Sequence, residues 1–157
     1  MVNNIFGILV SSVLLFILSS CSDYMPKKLI YKGQNYNLKS EYKSPGDFFT
    51  TYKYTSSHGQ INVMDLSEGD DDKVVSESDY VEVFFILRAK QAEDKGFNIQ
   101  TFNQEEKILI VYNDKLEILY TTTQINGKMH TIRLTRNKTD FTDLEDDINK
   151  LKLIDVE

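Results

Sequence analysis

The chain has 157 residues, and its 24 acidic and 18 basic residues give it a formal net charge of −6. This length suits one domain with one hydrophobic core. The acidic excess argues against a nucleic-acid-binding protein, for which a basic stripe is expected, and against binding of the folded part to anionic lipid. An acidic surface also suits a basic protein partner.

The chain begins with an uncharged apolar run over residues 5–18. Such a run is too short to cross a bilayer, which needs about 20 apolar residues, but it has the length of a signal-peptide core. The alternative is a buried N-terminal helix. A helix in a globular core is normally amphipathic, whereas this segment is apolar on every side. We therefore expect residues 1–20 to be removed as a signal peptide.

The residues that close this run are Leu18-Ser19-Ser20-Cys21. They resemble the lipobox of bacterial lipoproteins, in which an aliphatic residue and two small residues precede an obligatory cysteine. The resemblance implies that Cys21 receives a diacylglyceryl thioether, that a signal peptidase cuts before it, and that the new amino terminus is then acylated. Two or three acyl chains on one residue would hold the protein firmly to a membrane leaflet. Cys21 is the only cysteine, so no disulfide can form within one chain.

The residue after the lipobox cysteine is Ser22, and Asp23 follows it. In Gram-negative lipoproteins, which this segment resembles, an Asp directly after the cysteine commonly retains the protein in the inner membrane. The resemblance therefore implies delivery to the outer membrane, facing the periplasm. We expect residues 21–28 to form a short tether and residues 29–157 to form a single domain close to the membrane.

The first half of this domain has the pattern of antiparallel strands. Apolar and polar residues alternate in short segments that are separated by turn-forming residues. The predicted strands cover residues 29–32, 36–42, 48–55 and 60–66. The acids of residues 68–72 come next, but they are contiguous and their glycine precedes them. That spacing differs from an EF-hand calcium loop and favours a solvated loop.

Residues 76–95 favour a helix, because the apolar period changes and good helix formers follow. The predicted apolar face contains Tyr80, Phe84 and Leu87, with Val83 beside them and Val81 and Phe85 on the flank. Ser78 is the predicted N-cap, and Gly96 is predicted to end the helix. The five consecutive apolar residues 83–87 would also suit a buried strand.

Three further strands are predicted at residues 97–102, 107–112 and 116–122. The second is nearly continuous in apolar residues, as in a central strand covered on both faces. Asn126-Gly127 is a typical type I′ turn and predicts a hairpin between residues 123–125 and 129–134.

A C-terminal helix is predicted from the capping box Thr142-Asp143-Leu144-Glu145, with an apolar face made by Leu144, Ile148 and Leu151. The layout is therefore α+β: an antiparallel sheet of about six to eight strands with one central helix and one C-terminal helix, and with the helices on one face or both.

The sequence contains few patterns that indicate catalysis. His58 and His130 stand alone, without a second ligand at zinc spacing. No Gly-x-Ser-x-Gly elbow, Ser-x-x-Lys pair, phosphate-binding glycine loop or His-Glu-x-x-His helix is present. The acids Asp114 and Glu117, and the trio of residues 145–147, are interpreted as solvated groups or as helix N-terminal charges. We expect no catalytic residue, no metal and no cofactor.

Tyrosines on the predicted strands offer one candidate binding face. They are Tyr52, Tyr54, Tyr112 and Tyr120, with Thr50, Thr51, Thr121, Thr122 and Thr123 near them. Amphipathic rings make good contact surfaces at low entropic cost, although tyrosine and threonine are also simply good strand formers.

These features predict a membrane-anchored envelope lipoprotein whose domain binds another protein without catalysis. Two roles fit: an accessory to an envelope assembly, or an immunity protein that blocks a toxin acting in the periplasm. The immunity role is an analogy of architecture only. The alternative is a small envelope hydrolase that uses an unrecognised Ser or Asp.

Overall fold

A computed structural model of the chain describes residues 25–43, 49–65, 77–138 and 144–157. The predicted signal peptide, the lipobox with Cys21, the acidic loop 68–72 and the predicted capping residue Thr142 lie outside the described residues.

The described ranges contain nine strands and two helices. The strands are β1 (Lys28–Tyr31), β2 (Gln34–Lys43), β3 (Thr50–Ser56), β4 (Gly59–Asp65), β5 (Asn98–Asn103), β6 (Ile108–Tyr112), β7 (Leu116–Ile125), β8 (Lys128–Asn137) and β9 (Asp155–Val156). The helices are α1 (Glu77–Asp94), between β4 and β5, and α2 (Leu144–Lys152), between β8 and β9. The architecture is broadly α+β, as the sequence predicted. The strand number is higher than the predicted six to eight.

All nine strands belong to one antiparallel sheet, which forms a half-barrel. Their order is β5-β6-β7-β8-β4-β3-β2-β1-β9. The sequence did not predict β9, a two-residue strand that pairs with β1 through Leu29↔Val156 and Ile30↔Asp155. Two residues are too few to show an alternating pattern, so this strand depends on the edge that β1 offers.

The two helices cover opposite faces of the sheet near one end of the strand order. On one side, Leu109 and Val111 of β6 pack with Phe84 and Phe85 of α1. On the other side, Ile108 and Ile110 belong to the cluster that contains Ile148 and Leu151 of α2. The apolar run in β6 is thus buried on both faces, as predicted. The prediction of a central helix across the sheet was wrong in placement, because α1 lies over β5 and β6.

The face that α1 turns to the sheet also differs from the prediction. The buried residues are Val81, Phe84, Phe85, Ala89 and Ala92. Val83 and Leu87, which were expected to face the core, are 53% and 51% exposed. Five consecutive apolar residues surround the whole helix, so the period alone could not decide which side is buried. The helix begins at Glu77, so Ser78 lies inside its first turn and is not the residue before the helix.

The end of α1 follows the sequence signal closely. Gly96 has a φ of +77°, its N–H donates to the Glu93 carbonyl at 2.9 Å, and the Phe97 N–H donates to the Ala92 carbonyl at 2.9 Å. This pair of hydrogen bonds is a Schellman motif, in which glycine adopts the left-handed conformation without a Cβ clash. The sequence therefore predicted both the stop and the residue responsible for it.

The β7–β8 hairpin also confirms its sequence signal. Asn126 and Gly127 have φ values of +52° and +79°, as a type I′ turn requires. The pairing runs without a break from Ile125↔Lys128 to Leu116↔Asn137. The two-residue turn therefore determines which residues of these long strands lie opposite each other.

The fold already includes the last residues of the predicted tether. Met25 is buried in the core, and the Tyr54 hydroxyl donates to the Pro26 carbonyl at 2.8 Å. Only three residues, numbers 22–24, separate Cys21 from this packed segment. Neither helix of the described ranges is long and apolar enough to cross a membrane.

Candidate functional site

One concave feature of the described residues is a groove between α2 and the β5–β6 end of the sheet. It encloses about 510 Å³. Aliphatic side chains from both walls line it, namely Ile108, Ile110, Leu144 and Ile148, and its polar lining residues are Thr101, Glu106, Glu145, Asn149 and Lys152. The groove exists because α2 packs mainly on β7, so the same face of β5 and β6 stays partly uncovered.

The groove has more acid than base among its lining residues. Glu106 lies in the β5–β6 turn, where its N–H donates to the Asn103 Oδ1 atom at 3.1 Å. Glu145 lies in the first turn of α2, and Lys152 lies in the last turn. Both carboxylates are on exposed residues, so water solvates them. The groove therefore combines an aliphatic interior with two acidic groups and one base.

A buried ionic cluster fixes α2 to the sheet beside this groove. The Arg136 Nε donates to Glu117 Oε2 at 2.7 Å, and its Nη2 donates to Asp147 Oδ2 at 2.5 Å. Glu117 is fully buried, and its second oxygen, Oε1, has no hydrogen-bond partner among the described residues. Arg136 thus bridges a strand carboxylate and a helix carboxylate, which are both removed from water.

Two residues at the end of β1 complete the cluster. Lys32 forms ion pairs with both Asp147 and Asp146, and the Tyr31 hydroxyl donates to Asp147 Oδ1 at 3.3 Å. Burial raises the pKa of the Tyr31 hydroxyl to about 12, so tyrosine stays a neutral donor here. Two bases now balance the two buried acids, and the cluster connects β1, β7, β8 and α2. It orients the helix that forms one wall of the groove.

The acids in the first turn of α2 were predicted to be solvated groups or helix N-terminal charges, and they also make specific contacts. Asp147 is buried and holds the cluster together, while Asp146 is near the surface. The Lys150 ammonium donates to Asp146 Oδ2 at 2.7 Å, and this hydrogen bond is the first cause of a lowered pKa of the Asp146 carboxyl. Lys32 contributes in the same direction.

Sequence reasoning missed this cluster, although part of it had a signal. The two-residue turn at Asn126-Gly127 sets the register of β7 and β8, and that register places Glu117 opposite Arg136. Extending the hairpin outward from the turn would have found an acid and a base facing each other. No local pattern places Asp147 next to them, because its contact depends on how α2 docks.

The four tyrosines of the predicted binding face are not brought together on one exposed surface. Tyr54 is fully buried in the hydrophobic core on the α2 face of the sheet, and the partly buried Tyr52 packs against that core. Tyr120 is buried on the opposite face, where its ring contacts Phe84 edge-on at 6.4 Å. Tyr112 is partly exposed beneath the Lys138 ammonium, 4.7 Å from its ring centre. Tyr54 and Tyr120 therefore pack into the hydrophobic core, each on a different face of the sheet, because side chains along a strand alternate between the two faces.

The two histidines have different surroundings. His58 is exposed in the β3–β4 turn. His130 is 3% exposed, its Nδ1 lies 3.0 Å from the Lys128 carbonyl oxygen, and its Nε2 lies 4.0 Å from Asp65 Oδ2. A substrate could not reach so buried a ring. In the ranges that the structure describes, no three side chains of His, Cys, Asp or Glu are grouped to hold a metal ion.

Comparison with models of known protein families, with curated proteins and with solved structures finds no match to this chain.

Proposed function

We propose that this protein is a lipid-anchored envelope protein whose groove between α2 and β5–β6 binds a segment of another protein. The observation that carries the proposal is the groove itself, with its aliphatic interior and its lining of Glu106, Glu145 and Lys152. A partner segment with apolar side chains and a basic residue matches this lining in both shape and charge. Binding without catalysis is the resulting function.

The position of the groove relative to the lipobox cysteine supports the proposal. Three residues between Cys21 and Met25 allow a separation of at most about 14 Å, so a lipid on Cys21 would hold β1 close to the membrane. The ionic cluster joins Tyr31 and Lys32, at the end of β1, to Asp147 of α2, so the helix wall of the groove lies close to the anchored strand. The anchor would thus present the groove to other proteins of the envelope.

The test is photo-cross-linking in intact cells. A benzophenone amino acid replaces Asn149, an exposed residue of the groove, and the same group at Lys39, an exposed residue of β2, serves as the control. We expect a discrete adduct with one envelope protein from position 149 and none from position 39. The identity of that protein then distinguishes an assembly accessory from an immunity protein that neutralises a toxin.

A charge reversal sharpens this test. Glu145→Lys should weaken the adduct about tenfold, which corresponds to about 1.4 kcal/mol. Glu41→Lys makes the same charge change on β2 and should leave the adduct unchanged. Thermal melting of both variants checks that the fold is retained. Absence of an adduct at position 149 would contradict the proposal. Turnover of an envelope lipid, glycan or peptide by the purified protein, abolished by one Ser or Asp substitution, would favour a hydrolase instead.

A further inference from the structure

Strand β5 forms one edge of the sheet and carries neither a charged residue nor a proline. It pairs with β6, and it is the terminal strand in the sheet order. Its sequence, Asn98-Ile99-Gln100-Thr101-Phe102-Asn103, contains no Lys, Arg, Asp, Glu or Pro. Edge strands of monomeric proteins usually carry such residues, because a free row of backbone N–H and C=O groups can pair with another chain. The opposite edge, β9, has only two residues and begins with Asp155.

A β-bulge changes which side chains of β5 share a face. Thr101 lies opposite Ile110 and Ile99 lies opposite Val111, so Gln100 is the extra residue between them. Because of this extra residue, Ile99 and Phe102 both point to the α1 face, opposite Val111 and Leu109. The polar residues Asn98, Thr101 and Asn103 lie on the α2 face, opposite Tyr112, Ile110 and Ile108.

The polar and apolar residues of β5 follow the same order from either end of the strand. Asn98 and Asn103 are the outer polar residues, Ile99 and Phe102 are the apolar residues, and Gln100 and Thr101 are the central polar pair. An antiparallel copy with a two-fold axis between Gln100 and Thr101 would place each Ile99 opposite the other copy's Phe102 on the same face. Such cross-strand apolar pairs stabilise a sheet, and a two-fold interface requires self-complementarity of this kind.

The charges that flank β5 are complementary under the same axis. Lys95 precedes the strand by three residues and Glu106 follows it by three, and both are exposed. Antiparallel pairing brings the start of one strand to the end of the other. A lysine of one copy and a glutamate of its partner therefore lie at the same end of the interface, at both ends. A peptide of unrelated sequence would have no reason to match both the apolar and the charged pattern.

We infer that β5 is a self-association edge, through which two copies of this chain pair antiparallel and join their sheets into one. Phe102, which is 38% exposed in the single chain, becomes covered by the partner's Ile99. Thr101 and Glu106 also line the β5–β6 wall of the groove, but pairing through the strand edge does not require the groove to be occupied, so the inference does not rest on the proposed function.

Cysteine cross-linking in intact cells tests the inference. Two Gln100 side chains lie close to the axis, within about 8 Å of each other. Gln100→Cys should therefore give a dimer of the chain with a short bis-maleimide, whereas Gln124→Cys, an exposed glutamine near the β7–β8 turn, should not. The unsubstituted protein, treated in the same way, reports any reaction at Cys21.

Two further substitutions in the Gln100→Cys protein test the contacts. Phe102→Lys should lower the dimer yield at least tenfold, and Met129→Lys, at a residue that is 40% exposed, should leave it unchanged. Lys95→Glu should also lower the yield, and Lys95→Glu combined with Glu106→Lys should restore it. Restoration by the charge swap distinguishes a lost contact from a lost fold.

Three results would overturn the inference: no dimer from Gln100→Cys, an equal yield from Gln124→Cys, or a yield that none of the interface substitutions changes. An adduct of Gln100→Cys with a different protein would assign the edge to a strand of that protein and would also overturn it. Cross-linking from Asn149 is scored separately, so failure at one surface leaves the result at the other intact.

Discussion

The buried cluster around Arg136 allows a quantitative test of what fixes α2. Arg136→Met keeps most of the aliphatic stem and removes the guanidinium. Asp147 would still contact Lys32 and Tyr31, but Glu117 would lose Arg136, its charged partner among the described residues, while remaining fully buried. Stranding one member of a buried ion pair costs about 3–5 kcal/mol. We expect a loss in the free energy of unfolding at the lower end of this range.

The expected loss lies at the lower end of this range because protonation limits the energetic cost of a buried, unpaired carboxylate. A stranded carboxylate can take up a proton, and protonating an ordinary glutamic acid side chain costs about 4 kcal/mol at pH 7 and about 1 kcal/mol at pH 5. The penalty for Arg136→Met should therefore be about 3–4 kcal/mol at pH 7 and should shrink by about 2 kcal/mol or more at pH 5. About 1 kcal/mol of this penalty comes from the lost hydrogen bonds and is the same at both pH values.

Urea unfolding followed by circular dichroism measures both values on a form of the protein that begins at Ser22. Lys150→Met is the control, because it removes only the exposed pair with Asp146 and should leave the free energy of unfolding almost unchanged. Adding Glu117→Met to Arg136→Met removes the stranded charge and should recover at least half of the loss. A loss below about 1 kcal/mol at pH 7, or a loss that is the same at both pH values, would refute the reasoning.

Three other predictions concern separate parts of the molecule. Gly59→Ala should destabilise the protein more than Gly33→Ala in urea unfolding. A Cβ at Gly59 would lie 2.6 Å from the Thr135 carbonyl oxygen, whereas a Cβ at Gly33 meets nothing within 4 Å. Equal losses in the free energy of unfolding would contradict this close approach. Burial raises the pKa of the Tyr31 hydroxyl to about 12, so the folded protein holds this proton more tightly than the unfolded chain. The contribution of Tyr31 to stability is therefore present below pH 10 and declines between about pH 10 and pH 12. Tyr31→Phe should make this decline in stability shallower, and an unchanged pH profile would count against the assignment. Cys21→Ser should leave an uncleaved precursor that no longer takes up labelled fatty acid, and a shortened, acylated product would show that the lipobox interpretation is wrong.

Local patterns in the sequence were sufficient for several features of the fold. Eight of the nine strands follow from alternating or continuous apolar segments, and the burial of β6 on both faces follows from its unbroken apolar run. Gly96 and the Asn126-Gly127 turn were found because each needs a backbone conformation that few residues adopt. Residues 18–21, which resemble a lipobox, are likewise a short pattern, and lipidation of Cys21 stays a prediction. In each case the cause lies within a few residues of its effect.

The candidate site depended on contacts between segments that are distant in sequence. The exposure of Val83 and Leu87 was decided by which side of α1 fits the sheet, because an apolar run around a helix leaves its rotation open. The contact of Asp147 with Arg136, and the groove that remains beside α2, depend on where a nine-residue helix docks on a curved sheet. Local propensity carries no information about docking, so only the tertiary structure could determine the site.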